Sequence, residues 1–303
     1  MNRTLSYTIT KQDAGLTACE FLKKHGFTRR ILSHLKRTDH GICIGSDPVY
    51  TCHRLSEGET LTLHITDSES SEKIPAVSIP LSIVYEDEDI LILNKPCDMP
   101  VHPSLGNYEN TLANGVAWYF ERQGIPFVFR CINRLDRDTT GLLILAKNML
   151  SGAVLSDQMK NRNIKRTYLA LVSGVPKESA GTIDQPIARV PGSVLERHVS
   201  SDGETAVTHY KVIRTFSDSS LVEFHLETGR THQIRVHMKY LGHPLLGDFL
   251  YNPEDTRCSR QMLHSVSLAF IHPVTGEALR FDAPLPDDMA AFISMKSKEH
   301  LPL

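Results

Sequence analysis

The chain has 303 residues, 41% hydrophobic and 22% charged, which gives room for one large domain or a small one beside a larger one and excludes a disordered or collagen-like chain. No apolar run approaches the roughly 20 residues of a membrane span, and MNRTLSYTITKQD at the start lacks a signal-peptide core, so a cytoplasmic protein is expected. The formal net charge of −2 conceals an asymmetry: residues 1–66 hold nine Lys/Arg against six Asp/Glu, residues 67–95 two against seven, and residues 134–166 seven against three, so a polyanionic partner stays open.

Residues 1–66 read as a small module. LTACEFLKKHG predicts a short helix, with Leu16, Cys19 and Leu22 at helical spacing and Gly26 as its stop. FTRRILSHLKRTDHG predicts a second helix closed by Gly41. Ile31, Leu32 and Leu35 fall on one side of it, and Arg29, Arg30, Ser33, Lys36 and Arg37 on the other. Short strands follow at GICIG, PVYTC and ETLTLHI. A one-sided cationic helix reads either as a solvated face or as a face for phosphates.

DSESSEK, followed by Pro75 and Pro80, predicts a linker over 67–79 and a second domain over 80–303. LSIVYEDEDILILNKP reads as strand, acidic turn, strand and proline stop. A helix is expected around TLANGVAWYFERQG, a strand at GLLILAKN, a helix at VLSDQMKNRN and a strand at RTYLALVSG, where Tyr168, Ala170 and Val172 share a face. THYKVIRTF and SLVEFHLET read as a hairpin around SDSS. THQIRVHMKYLG reads as a helix capped by Thr231 and stopped by Gly242. The expected fold class is α+β, with a mostly antiparallel sheet.

The chain has no glycine-rich phosphate loop, no H-E-x-x-H and no Cys/His cluster at zinc spacing, so a metal is not expected. The six cysteines include no C-x-x-C pair and read as reduced thiols. The stretch INRLDRDTTGLLILAKN sets Asp136 between Arg134 and Arg137, just ahead of an apolar strand. An aspartate among turn formers most often bonds its own backbone. A strand that anchors the turn can equally hold the acid still at a cleft. Two other segments offer partners: LETGRTHQIRVHM places His232, Arg235 and Lys239 on one helix face, and KRTYLALVSG supplies Tyr168 beside Lys165 and Arg166. An arginine favours and orients an ionised carboxylate, and a tyrosine offers a flat face and a hydroxyl for proton transfer. Nothing in the spacing brings the three segments together.

Arg134-Leu135-Asp136-x-x-Thr139-Thr140-Gly141 resembles the H-R-L-D-x-x-T-S-G signature of the RluA-type pseudouridine synthases. Arg166-x-Tyr168-x-Ala170-x-Val172-x-Gly174 is similar to the family's second motif, with Arg in the usual Lys place. Gly229-Arg230-Thr231-His232-Gln233-Ile234-Arg235-x-His237, followed by Gly242-His243-Pro244-x-x-Gly247-Asp248, is similar to the third. Asn94-Lys95-Pro96 with Val101-His102-Pro103 resembles the opening motif, and Met262-Leu263-His264 with His272-Pro273 the closing one. Residues 1–66 resemble, more weakly, the S-four-type RNA-binding domain. Asn133 stands in place of the family's His, Thr140 in place of Ser, and Asp98 in place of a common glycine.

The resemblance implies isomerisation of uridine to pseudouridine in structured RNA, without cofactor or metal. Asp136 would be the catalytic carboxylate, acting at the sugar C1′ or as base at C2′. Arg235 would pair with it, Tyr168 would pack on the base and help remove the C5 proton, and Arg134 would enter the RNA stack as the uridine flips out. His102, Arg230 and His232 are expected to line the pocket. Arg29, Arg30, Lys36, Arg37 and Arg137 are expected to meet phosphates. Large-subunit ribosomal RNA is the first expected substrate and transfer RNA the second, for a monomer with no membrane partner. The rival readings are an RNA-binding assembly factor without catalysis, a hydrolase of N-glycosidic bonds and a purely structural Asp–Arg pair.

Overall fold

A computed structural model describes residues 2–66, 71 and 74–298. The N-terminal part runs β1 (Asn2–Thr8), α1 (Ala18–Lys24), α2 (Arg29–Leu35), β2 (Ile42–Ile44), β3 (Asp47–Pro48) and β4 (Thr60–Thr66). Its antiparallel sheet has the order β1-β4-β2-β3. The alternating Leu61, Leu63 and Ile65 of β4 face Phe21, Leu22, Ile31 and Leu35 in one core. Thr17 caps α1 in a capping box with Glu20, and Thr28 caps α2. β1 has no counterpart among the predicted strands, and PVYTC contributes only Pro48 to one. The second helix ends at Leu35 rather than running on to Gly41. The chain doubles back there, and a Cβ at Gly41 would lie 2.1 Å from the Leu35 carbonyl oxygen. Of the expected 67–79 linker, residues 67–70, 72 and 73 lie outside the described residues.

The larger part begins with β5 (Ile83–Glu86), β6 (Ile90–Lys95), α3 (Leu112–Glu121), β7 (Thr140–Ala146), α4 (Met149–Lys160) and β8 (Lys165–Ser173). Then come β9 (Ala180–Asp184), β10 (Ile187–Arg189), β11 (Arg197–Val199), β12 (Val207–Thr215), β13 (Ser219–Leu226) and α5 (Gln233–Tyr240). β14 (Leu263–Ile271), β15 (Ala278–Asp282) and α6 (Asp287–Lys298) complete it. Its main sheet has the order β5-β6-β7-β14-β8-β13-β12-β9, with β15 on β14, while β10 and β11 pair separately. All pairs in the main sheet are antiparallel except β7 with β14, so the expected α+β fold has a mixed sheet. At that parallel contact only glycine fits: Gly141 has φ +111, and a Cβ would lie 2.2 Å from the Ser265 carbonyl oxygen.

β6 and β7 are buried on both faces and accordingly read as unbroken apolar runs. Leu91, Leu93, Leu143 and Leu145 point to the layer holding Tyr168, Ala170 and Val172, whereas Ile90, Ile92, Leu142 and Ile144 meet Leu155 of α4. α4 also joins the two parts. Leu150 belongs to the N-terminal core, Met149, Ala153 and Val154 pack against it, and Arg3 of β1 grips the buried Asp89 at 3.0 and 3.1 Å.

α5 corrects one expectation. Thr231 does not cap it; His232 is the N-cap residue, at φ 58 and without a side-chain capping bond. The Gln233 side chain instead ties down the preceding turn, accepting the Arg230 N–H at 2.9 Å and the Thr228 hydroxyl at 2.8 Å. The Gly242 stop holds, with φ +81. Among the described residues no helix is long and apolar enough to cross a membrane.

Candidate active site

The loop from Asn133 to Thr139 is held from several sides. Leu135 is sunk into the main core. The Asn133 amide donates to the Leu142 carbonyl at 3.3 Å and accepts the Ile144 N–H at 2.9 Å, stitching the loop to β7. Lys95, 1% exposed, donates to the Pro96 and Arg137 carbonyls at 2.7 and 2.8 Å, and Met99 N–H also reaches the Arg137 carbonyl. Burial pushes the Lys95 ammonium down to about 7, against the opposing charges of Asp138 and Asp136. Asp98 adopts φ 52, a left-handed conformation that favours glycine and that aspartate tolerates.

This framework leaves Asp136 at the rim of a cleft of about 530 Å³, with its side chain 25% exposed. Arg235, 2% exposed on α5, gives one edge of its guanidinium to Asp248 at 2.6 and 2.7 Å. Its remaining Nη1 reaches Asp136 Oδ2 at 3.3 Å. Asp248 is fully buried and also accepts the backbone N–H groups of Leu250 and Tyr251, both at 3.1 Å. Burial works against the charge on Arg235, but the bonds and charge of Asp248 prevail and raise its pKa. The Tyr251 ring lies under the guanidinium carbon at 4.9 Å.

His232 stands next to this pair, its Nε2 3.9 Å from Asp136 Oδ2 and its Nδ1 2.9 Å from the Tyr251 hydroxyl. Burial pushes the His232 pKa down and that of Tyr251 up to about 12. The Tyr251 oxygen also accepts the Arg197 N–H at 3.0 Å, which fixes it beside the imidazole.

Asp136, Tyr168, Arg235, Arg134, Arg230 and His232 all line the cleft, so the three segments do meet. Tyr168 is 4% exposed and part of the core layer. The Arg230 guanidinium turns outward to the Thr205 carbonyl and Glu204, both at 3.0 Å. His102 lies outside the lining, edge-on to Phe129 at 4.8 Å. Arg137 pairs with Asp138 at 3.2 Å, and Arg29, Arg30, Lys36 and Arg37 are exposed on the N-terminal part. Two contributors were missing from the expected site. Asp248 stood within a quoted motif, but its role depends on facing Arg235, and Tyr251 carried no sequence signal. Asp87, Asp89 and His272 cluster at cation-binding spacing away from the cleft. Their oxygens are occupied by protein donors: His272, Tyr85 and two backbone N–H groups on Asp87, and Arg3, Asn148 and Ser151 on Asp89.

The fold is similar to that of human RNA Pseudouridylate Synthase Domain Containing 1. That likeness has a TM-score of 0.58 and 27% identity, and covers 75% of this chain and 98% of that one. Residues 89–240 match the RNA pseudouridylate synthase family, and the chain belongs to it. It is 41% identical over 285 residues to the uncharacterized RNA pseudouridine synthase YjbO of Bacillus subtilis, covering 94% of this chain and all of that one (100%). It is 42% identical over 262 residues to ribosomal large subunit pseudouridine synthase D of Vibrio parahaemolyticus, covering 80% of this chain and 78% of that one. The chain is an RNA pseudouridine synthase, an isomerase of the RluA family acting on structured RNA.

Proposed function

We propose that the enzyme isomerises uridines of large-subunit ribosomal RNA, with Asp136 as the catalytic carboxylate. The observation that supports the assignment is the Asp136–Arg235 contact at 3.3 Å in a cleft that Tyr168 also lines. The similarity to a ribosomal large subunit synthase supports the choice of RNA.

The target uridine leaves its stack, at a cost of a few kcal/mol, and Arg134 takes the vacated place. The Asp136 carboxylate then attacks C1′, or takes the C2′ proton to give a glycal, and uracil departs with the N1–C1′ electron pair. Arg235 aims the carboxylate throughout. The ring rotates against Tyr168 and C5 bonds to C1′, displacing the Asp136 carboxylate in the first route, or with Asp136 returning its proton to C2′ in the second. The proton lost from C5, which Tyr168 helps remove, is balanced by one gained at N1, so nothing is added and no co-substrate is needed. Arg137, next to Asp136 in the chain, meets phosphate, and Arg29, Arg30, Lys36 and Arg37 attract the RNA from the N-terminal part. The proposal extends to a cytoplasmic monomer, which size-exclusion chromatography checks for its oligomeric state.

Tritium release from RNA labelled at uridine C5 tests it, with large-subunit ribosomal RNA and transfer RNA transcripts side by side. Release from the ribosomal transcript by wild type, with no free uracil and at least about a 10³-fold loss in Asp136→Asn, is expected. Release from the transfer RNA alone overturns the substrate, and a fully active Asp136→Asn overturns the catalytic assignment.

A further inference from the structure

Strand β8 delivers two side chains to the cleft that holds Asp136. Arg166 and Tyr168 are two residues apart, so they share a face of the strand about 7 Å from each other, and both line the cleft. Tyr168 is buried and Arg166 half-buried, which sets the arginine nearer solvent. Its guanidinium is little used. Nη2 donates to the Thr228 carbonyl at 3.3 Å, Nε is buried without an acceptor, and Nη1 bonds nothing among the described residues. Gly229 makes room for it, since a Cβ there would lie 3.0 Å from Nη1.

Other cations of the cleft already have acids. Arg235 holds Asp248 and Asp136, and Arg230 pairs with Glu204. Among the described residues the cleft is lined by one carboxylate besides Asp136, that of Glu227. Arg162 takes it up, and His209 Nε2 meets it at 2.8 Å. Arg162 does so from φ 60, just past the end of α4, a conformation that favours glycine. With Glu227 matched in this way, the charge of Arg166 faces the cleft without a counter-ion. A guanidinium in that state suits a phosphate, whose full negative charge and paired oxygens match its fork; uracil offers only neutral carbonyls. Position agrees, because a nucleotide whose base lies on Tyr168 has its phosphate toward solvent.

We propose that Arg166 binds a backbone phosphate of the flipped uridine, fixing that nucleotide at the mouth of the cleft while its base lies on Tyr168. The proposal rests on the uridine isomerisation proposed for this cleft. It also separates two neighbours that a general cationic surface treats alike. Arg166 lines the cleft; Lys165, exposed on the opposite face of β8, does not.

The test uses the full-length chain and total RNA, labelled at uridine C5, from cells lacking the enzyme. Tritium release is followed over a salt series after thermal melts establish folding. Arg166→Gln is expected to raise KM roughly tenfold, to leave kcat within about twofold, and to flatten the slope of log KM against log salt by about 0.7–0.9. Arg166→Lys keeps the charge and should keep the slope. Lys165→Gln should raise KM less than about twofold. Gly229→Val displaces the guanidinium without removing its charge and should raise KM at least about threefold, so it decides the matter if Arg166→Gln melts early. A raised KM with an unchanged salt slope in Arg166→Gln moves the contact from phosphate to base and overturns the proposal. Equal losses from Arg166→Gln and Lys165→Gln, or a wild-type KM in Gly229→Val, overturn it too. No tritium release by wild type from any RNA overturns the uridine reading of the cleft beneath it, a separable result.

Discussion

Arg235 gives Asp136 only one of its nitrogens: Nη1 lies 3.3 Å from Asp136, while Nε and Nη2 are committed to Asp248 at 2.6 and 2.7 Å. Asp136 is thus aimed by a cation that a second, buried acid holds in place. The bidentate grip fixes the guanidinium plane, and the single remaining donor sets the direction from which the carboxylate faces the cleft.

Removing the hidden acid should be felt twice. Asp248→Asn leaves the buried Arg235 charge without its main partner, a loss of about 3–5 kcal/mol that lowers Tm by roughly 10 °C. With Arg235 free to swing, kcat should fall about 10²-fold. Thermal melts and single-turnover tritium release read the two effects separately. A variant that melts early yet keeps wild-type kcat would show Asp248 to be structural alone.

Tyr168→Phe keeps the ring in the core layer and removes only the hydroxyl. If that oxygen helps move the C5 proton, kcat should drop by about 10²–10⁴ while KM and Tm stay near wild type. Unchanged tritium release would assign Tyr168 to packing.

Asn133 bonds both the Leu142 carbonyl and the Ile144 N–H of the fully buried β7. Asn133→Ala strands the Ile144 N–H, at about 1–3 kcal/mol, leaves the Leu142 carbonyl only the Ser265 hydroxyl at 3.1 Å, and slackens the loop that carries Asp136. Asn133→His, the residue of the family signature, should recover more activity than the alanine variant. Equal kcat in the two would remove this side chain from loop positioning.

Acid should loosen the same region. His264 is buried with Nδ1 2.8 Å from the Thr140 hydroxyl, and burial pushes its pKa from 6.5 down to about 4. Between those values the unfolded chain takes up a proton that the folded one refuses, so stability falls as pH drops through that window. The full loss is about 3 kcal/mol. The lowered pKa values of His232 and His237 act in the same direction. Urea unfolding at a series of pH values should show a smaller decline in His264→Asn than in wild type; identical declines would clear His264.

Much of the fold is legible in the sequence, because local pattern dictates local structure. The unbroken apolar runs of β6 and β7, the alternation in β4 and the β12–β13 hairpin follow from periodicity and turn residues. The motif around Asp136 pointed to the acid, and Asp98 could keep a glycine conformation because aspartate tolerates positive φ. Helix ends were less legible. The N-cap of α5 is His232 rather than the predicted Thr231, with no side-chain capping bond, and a chain reversal ends α2 at Leu35. What only the tertiary structure decided are the meetings between distant segments. Asp136 and Arg235 are 99 residues apart, and Asp248 joins Arg235 from 13 residues further along the chain. β14 inserts between β7 and β8, bringing residue 264 beside residue 140. Pairings of that kind depend on how whole faces pack and on which strand borders which, so no window of neighbouring residues contains them.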